Sequence, residues 1–215
     1  MKNSQYTFFI LVISWFFFII GCSVTAAYMK VSTQFDTQTK KTEAAQASKL
    51  SESELYDSKY EVGKTEAKLS NFMKKYYEYL EEGNREELLK MVEDTECFFS
   101  FQKLRNMTLY IEKYNNITCY IKNGEDTHSY IVFVSYDAKF HDIAQTVPGV
   151  SQYYVIDEDG EFKIYNNKDH LSIEAQKAME VSLRLKDIKA LIEDTRQRYE
   201  AVIATNKELE EFFEE

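Results

Sequence analysis

The stretch His128–Phe140, HSYIVFVSYDAKF, alternates with period two over thirteen residues. Its even positions from Tyr130 on, Tyr130, Val132, Val134, Tyr136, Ala138 and Phe140, are all apolar or aromatic. Successive strand side chains point to opposite faces, so these six share one face, and that face demands cover. A long strand of this kind also needs neighbours to satisfy its N–H and C=O groups. The chain must therefore supply both a sheet and something to lay on it.

The partner strands are legible nearby. Ile117, Cys119 and Ile121 alternate with Thr118, Tyr120 and Lys122, and Asn123-Gly124 predicts the turn into the long strand. Gln152–Ile156 and Glu161–Asn166 flank Asp157-Glu158-Asp159-Gly160, a hairpin signal in which glycine supplies a positive φ. Pro148-Gly149 is expected in the loop before the third strand.

Upstream the period lengthens to that of helices. Leu69, Phe72, Met73, Tyr76, Tyr77 and Leu80 define one apolar face of a helix capped by Thr65 and ended by Gly83. Asn84, with Glu87 three residues on, predicts a shorter helix with Leu88, Leu89 and Val92 inward. A third helix is expected over Glu96–Tyr114, presenting Phe98, Phe99, Phe101, Leu104, Met107, Leu109 and Ile111.

Downstream, Asp169 or Ser172 starts a long helix with Ile188, Leu191, Ile192, Tyr199, Val202 and Ile203 on a stripe. Thr205-Asn206-Lys207-Glu208 is a capping box for a last short helix. The stripe is too short for a sustained heptad coil, so these helices are expected to pack back on the body. The expected class is α+β, with three helices packed on a curved antiparallel sheet and helices at the C-terminus. The expected organisation is a membrane or signal segment at 1–29, a polar tether at 30–64, the α+β domain at 65–167 and a helical segment at 168–215.

Phe8–Tyr28 contains no charged residue, and about 21 residues of helix cover the roughly 30 Å hydrocarbon layer. It reads as a retained anchor. The competing reading is a lipoprotein signal, because Ile19-Ile20-Gly21-Cys22 resembles a bacterial lipobox with Cys22 as the lipid-bearing residue, although the apolar run continues through Val24–Met29. Both readings put the body outside the cytoplasm at the cell membrane, and a plain cleaved signal, the third alternative, would also place it outside the cytoplasm. Gln34–Gly63 is rich in Ser, Thr, Lys, Ala and Gln, which is a tether composition.

The net charge is -10, and nearly all the excess acid lies beyond Glu61. Such a body repels phosphate backbones, so nucleic acid is excluded as a partner class. Cys97 and Cys119 form a candidate disulfide outside the cell, with two reduced, buried thiols as the alternative. His128, His141 and His170 lie in no metal-binding spacing, and no nucleophile elbow, P-loop or dinucleotide fingerprint occurs, so no metal, cofactor or catalytic residue is expected.

The order of three helices and then antiparallel strands, over Thr65–Asn167, resembles the nuclear-transport-factor-like cone fold, which includes ketosteroid isomerase. The run from Phe98 through "KLRNMTLYIEKYNNITCYIKNGEDTHSYIVFVSYDAKFHDIAQTVPGVSQYYVIDEDGEFKIYNN" also resembles membrane-anchored proteins of Gram-positive anaerobes. The resemblance implies a pocket on the inner face of the sheet, with Tyr130, Tyr136 and Tyr153 as lining residues and Tyr154 as a further candidate. Its isomerase branch needs an inward acid. Asp137 has the wrong parity, and His141 and Asp142 sit at the strand's end. A tethered, non-enzymatic module that binds a small apolar ligand or scaffolds a protein partner in the cell envelope is therefore expected. An isomerase or dehydratase, or a subunit of a conjugation or secretion complex, is the alternative.

Overall fold

Residues 62–209, which the computed structural model describes, begin with helix α1, Val62–Glu82. It starts ahead of Thr65, which lies within it. Leu69, Met73, Tyr76, Tyr77 and Leu80 are buried, as the periodicity requires. Gly83, at φ 65°, ends the helix in a Schellman arrangement: its N–H donates to Leu80 O at 3.2 Å, and the Asn84 N–H donates to Tyr79 O at 2.9 Å. Asn84 then caps α2, Arg85–Met91, accepting from the Glu87 N–H at 3.4 Å.

Helix α3 is Phe101–Tyr110, capped by Ser100, which accepts from the Lys103 N–H at 3.2 Å. The expected helix over Glu96–Tyr114 is thus too long at both ends. Phe98 is buried in the turn before it, and Ile111–Tyr114 belong to the first strand. The apolar spacing suits either structure; pairing of Ile111 with Phe140 decides for strand.

The sheet has four strands in the order β1-β2-β3-β4, all antiparallel: β1 Ile111–Asn123, β2 Ser129–Phe140, β3 Thr146–Glu158 and β4 Glu161–Ile164. The β3–β4 hairpin closes through Asp159 (φ 54°) and Gly160 (φ 95°), the two left-handed residues of a tight primed turn. Pro148 and Gly149 lie inside β3, opposite Asp137 and Tyr136, rather than in a loop before it. β4 pairs with β3 only from Val155 on, so among the described residues no further strand flanks Pro148, the edge placement that proline tolerates.

Both faces of the sheet are covered. The even-numbered face of β2 lies toward α1. On the other face Ile131, Phe133 and Tyr154 form a core with Ala175, Leu185 and Ile188. Ala175 comes from α4, Ile173–Ser182, Ile188 from α5, Lys186–Thr205, and Leu185 from the break between them, so the C-terminal helices do pack back. Burial of each large side chain among them, Ile131, Phe133, Leu185 and Ile188, stabilises the fold by roughly 1.5–3 kcal/mol.

The expected single long helix is two. Ser172 caps α4, accepting from the Ala175 N–H at 2.8 Å, and the chain breaks at Leu183–Leu185. Gln152 of β3 supports that break by donating to Met179 O and Ser182 Oγ, both at 3.0 Å. Asn206, not Thr205, caps the final turn, accepting from the Leu209 N–H at 3.1 Å. Thr205 is the last residue of α5, and its hydroxyl donates back to Ala201 O at 2.9 Å. All these elements belong to one unit, Lys59–Glu210.

Candidate functional site

Between α1 and the sheet, five tyrosines meet: Tyr76 and Tyr77 from α1, Tyr114 from β1, Tyr136 from β2 and Tyr153 from β3. Cross-strand register brings the last two to one face. Tyr136 sits opposite Gly149, Val134 opposite Ser151, and Val132 opposite Tyr153. Tyr77 is the hub, with ring centroids 4.9 Å from Tyr114, 5.3 Å from Tyr136 and 6.4 Å from Tyr153. Tyr114 meets Tyr136 edge-on at 5.2 Å, and Tyr76 meets Tyr153 at 5.7 Å.

The rings carry hydroxyls into the same region. Tyr77 Oη and Tyr153 Oη are hydrogen-bonded at 3.0 Å. The buried Ser151, opposite Val134, lies on the same face of the sheet and acts to lower the pKa of Tyr77, Tyr136 and Tyr153. The Tyr114 hydroxyl is buried with no partner, while its backbone N–H donates to Glu81 Oε1 at 2.5 Å. Gly149 makes room: a Cβ there would lie 2.6 Å from the Tyr136 ring.

Burial pushes all five phenols above their ordinary pKa; the neighbouring Ser151 hydroxyl offsets part of that for Tyr77 and Tyr136, and Tyr77 and then Ser151 offset part of it for Tyr153. The hydroxyls therefore stay protonated near neutral pH. Tyr76, Tyr77 and Tyr114 are buried, whereas Tyr136 and Tyr153 keep part of their surface open to solvent. Chemically the site offers aromatic faces and neutral hydroxyls that donate and accept.

Of the three lining residues expected from sequence, Tyr136 and Tyr153 meet here. Tyr130 does not. It shares their face but lies six residues from Tyr136, about 20 Å along a strand, where it packs on Phe162 at 6.2 Å and donates to Thr127 O at 3.5 Å. Tyr154 has the opposite parity and lies in the α4–α5 core. Tyr77, Tyr114 and Ser151 were not expected in the site. Two adjacent tyrosines where a helix core face would ordinarily carry Leu or Phe were the available signal.

Asp137 lies on the face away from the phenols, as its parity requires. It is nearly buried and accepts from Arg198 NH2 of α5 at 2.6 Å and from Asn116 Nδ2 at 2.8 Å. Asn116 reaches it from an irregularity in β1, at φ 55°. His141 and Asp142 are exposed in the turn after β2, with Asp142 at φ 64°.

A second polar cluster joins the loop after α2 to the segment after β4. Asn166 bridges Asp94 through both backbone groups, at 3.0 and 2.7 Å, and Asn167 Nδ2 donates to Asp94 Oδ2 at 2.7 Å. His170 Nδ1 pairs with Glu93 Oε1 at 2.6 Å. Cys97 is exposed in this loop, and its bond to Asp94 raises the thiol pKa.

Cys97 and Cys119 carry free thiols, which corrects the candidate disulfide, and the exposure of Cys97 also corrects the expectation of two buried thiols. The loop holding Cys97 is tied to Ile164 of β4, through Glu93 N–H to Ile164 O at 2.9 Å, whereas Cys119 lies on β1. The strands to which the two cysteines are attached are thus opposite edges of the sheet. Among the described residues no group of three or more His, Cys, Asp or Glu is placed to hold a metal ion, and no helix is long and apolar enough to cross a membrane. Cys22 and the Phe8–Tyr28 segment lie outside the described residues.

No family model, curated protein or solved structure matches the chain.

Proposed function

We propose that this chain is a membrane-tethered module whose body, outside the cytoplasm, binds a small, largely apolar molecule at the phenol cluster without transforming it. The observation that carries the reading is the packing of the Tyr136 and Tyr153 rings on Tyr77, with the Tyr77 and Tyr153 hydroxyls hydrogen-bonded at 3.0 Å and the Tyr136 and Tyr153 rings partly open to solvent. Binding sites pair apolar walls with a few convergent polar groups in this manner.

The non-enzymatic reading is supported by the acids. Asp137 is held by Arg198 and Asn116 on the other face, and His141 and Asp142 lie exposed beyond the end of β2. The element order, three helices before an antiparallel sheet with α1 over one face, supports the cone-fold resemblance. Helices α4 and α5 are an addition on the outer face. The tether reading rests on Phe8–Tyr28 and Gln34–Gly63, and an anchor converts a weak contact at the surface into one at high effective concentration.

Native mass spectrometry of the full chain, released from membranes in mild detergent, tests the reading. A discrete non-covalent small-molecule adduct is expected, reduced in Tyr153→Phe and Tyr136→Phe. An adduct-free chain would remove the ligand role. The intact mass in the same spectrum separates a retained anchor from a shortened, lipid-modified chain beginning at Cys22.

A further inference from the structure

We propose that the outer face of α3 rests on the anionic surface of the bilayer that anchors the chain, an inference that depends on the anchor reading above. The inner side of α3 buries Leu104 and Met107. Its outer side leaves Phe101 65% and Leu109 59% exposed, among the most exposed large apolar side chains of the described residues. Arg105 lies between them at helical spacing i, i+4, i+8, so the three form one stripe. Arg105 is exposed and has no carboxylate partner among the described residues.

Charge selects the occupant. Residues 62–209 carry 20 Lys and Arg against 26 Asp and Glu, yet residues 97–111 contain Lys103 and Arg105 and no acid at all. Lys103 Nζ lies 4.4 Å over the Phe99 ring and is partly buried, so the cation that this stripe exposes is Arg105. Phe and Leu beside Arg on one exposed helix face is the composition that enters a headgroup layer, the rings at the acyl boundary and the guanidinium among phosphates. A short stripe binds weakly in solution. On a tethered body it acts at high local concentration and orients the phenol site relative to the membrane.

The test uses the full chain in vesicles, with its single tryptophan removed by Trp15→Phe and an indole introduced by Phe101→Trp. The vesicles are phosphatidylcholine alone or mixed with phosphatidylglycerol, each with brominated acyl chains. Quenching several-fold greater in the anionic vesicles is expected, reduced by added salt and abolished by Arg105→Glu, and Leu109→Trp should report the same pattern. A chain that floats with the vesicles while the indole stays unquenched, as when a protein partner owns this face, overturns the docking and leaves the anchor standing. Equal quenching in both vesicle types overturns the charge selection. A chain that does not float removes the anchor and the docking together.

Discussion

At the scale of single residues, Gly149 and Tyr136 set the geometry of the candidate site. The Tyr136 ring crosses the sheet where Gly149 has no side chain, and a methyl there would stand 2.6 Å from ring carbons already packed on Tyr77 and Tyr114. Gly149→Ala must displace that ring, and overpacking of this kind costs about 1–3 kcal/mol. The expected result is a lower urea midpoint with an unchanged slope, and a smaller effect of the same substitution in a Tyr136→Leu background. Equal losses in the two backgrounds would show that the ring is not what Gly149 accommodates. The inward parity of Tyr136 and Tyr153 was legible in the sequence, because a strand's period fixes which side chains share a face. The participation of Tyr77 and Tyr114 was not, since it depends on where α1 crosses the sheet and on the register of β1. Asp137 was legible as outward, but its partner Arg198 stands 61 residues away and no local pattern links them.

At the scale of elements, turns that need a positive φ read well, whereas Pro148-Gly149, expected as a loop, and the helix–strand borders read poorly. Gly83-Asn84 and Asp159-Gly160 each demand a particular backbone conformation that few residues adopt, so sequence alone places them. The border between α3 and β1 has no such signal. Phe98 to Tyr114 satisfies a helical spacing, and only pairing with Phe140, far along the chain, turns Ile111 into a strand residue. The C-terminal helices carried an apolar stripe but no label for its target. Their target is the Ile131–Phe133–Tyr154 face, which makes the domain larger than residues 65–167. A chain ending at Asn167 would expose that face, losing roughly 1.5–3 kcal/mol for each large side chain uncovered, against a typical total stability of about 5–15 kcal/mol. Such a chain is expected to lack a cooperative unfolding transition by circular dichroism. A sharp transition near that of the full chain would mean that α4 and α5 are dispensable.

At the scale of the whole molecule, the phenol cluster ties stability to pH. Tyr76, Tyr77, Tyr114, Tyr136 and Tyr153 have pKa values raised by burial above the ordinary 10.0. A raised pKa in the folded state means that the unfolded chain releases these protons first as pH rises. Their contribution to stability is therefore complete below about pH 10 and is lost progressively above it. The two exposed carboxylate networks, Glu193–Arg196–Glu200 and Lys90 with Glu86 and Glu87, are solvent-screened and add little to this dependence. The most direct measurement is an alkaline titration of the full chain, following tyrosinate absorbance and far-ultraviolet circular dichroism in the same sample. The five phenols of the cluster, and Tyr154 in the core beneath α4 and α5, are expected to ionise above the ordinary value of 10.0 and together with the cooperative loss of secondary structure. Ionisation of every tyrosine near pH 10 with the circular dichroism intact would contradict a buried, protonated phenol cluster between α1 and the sheet.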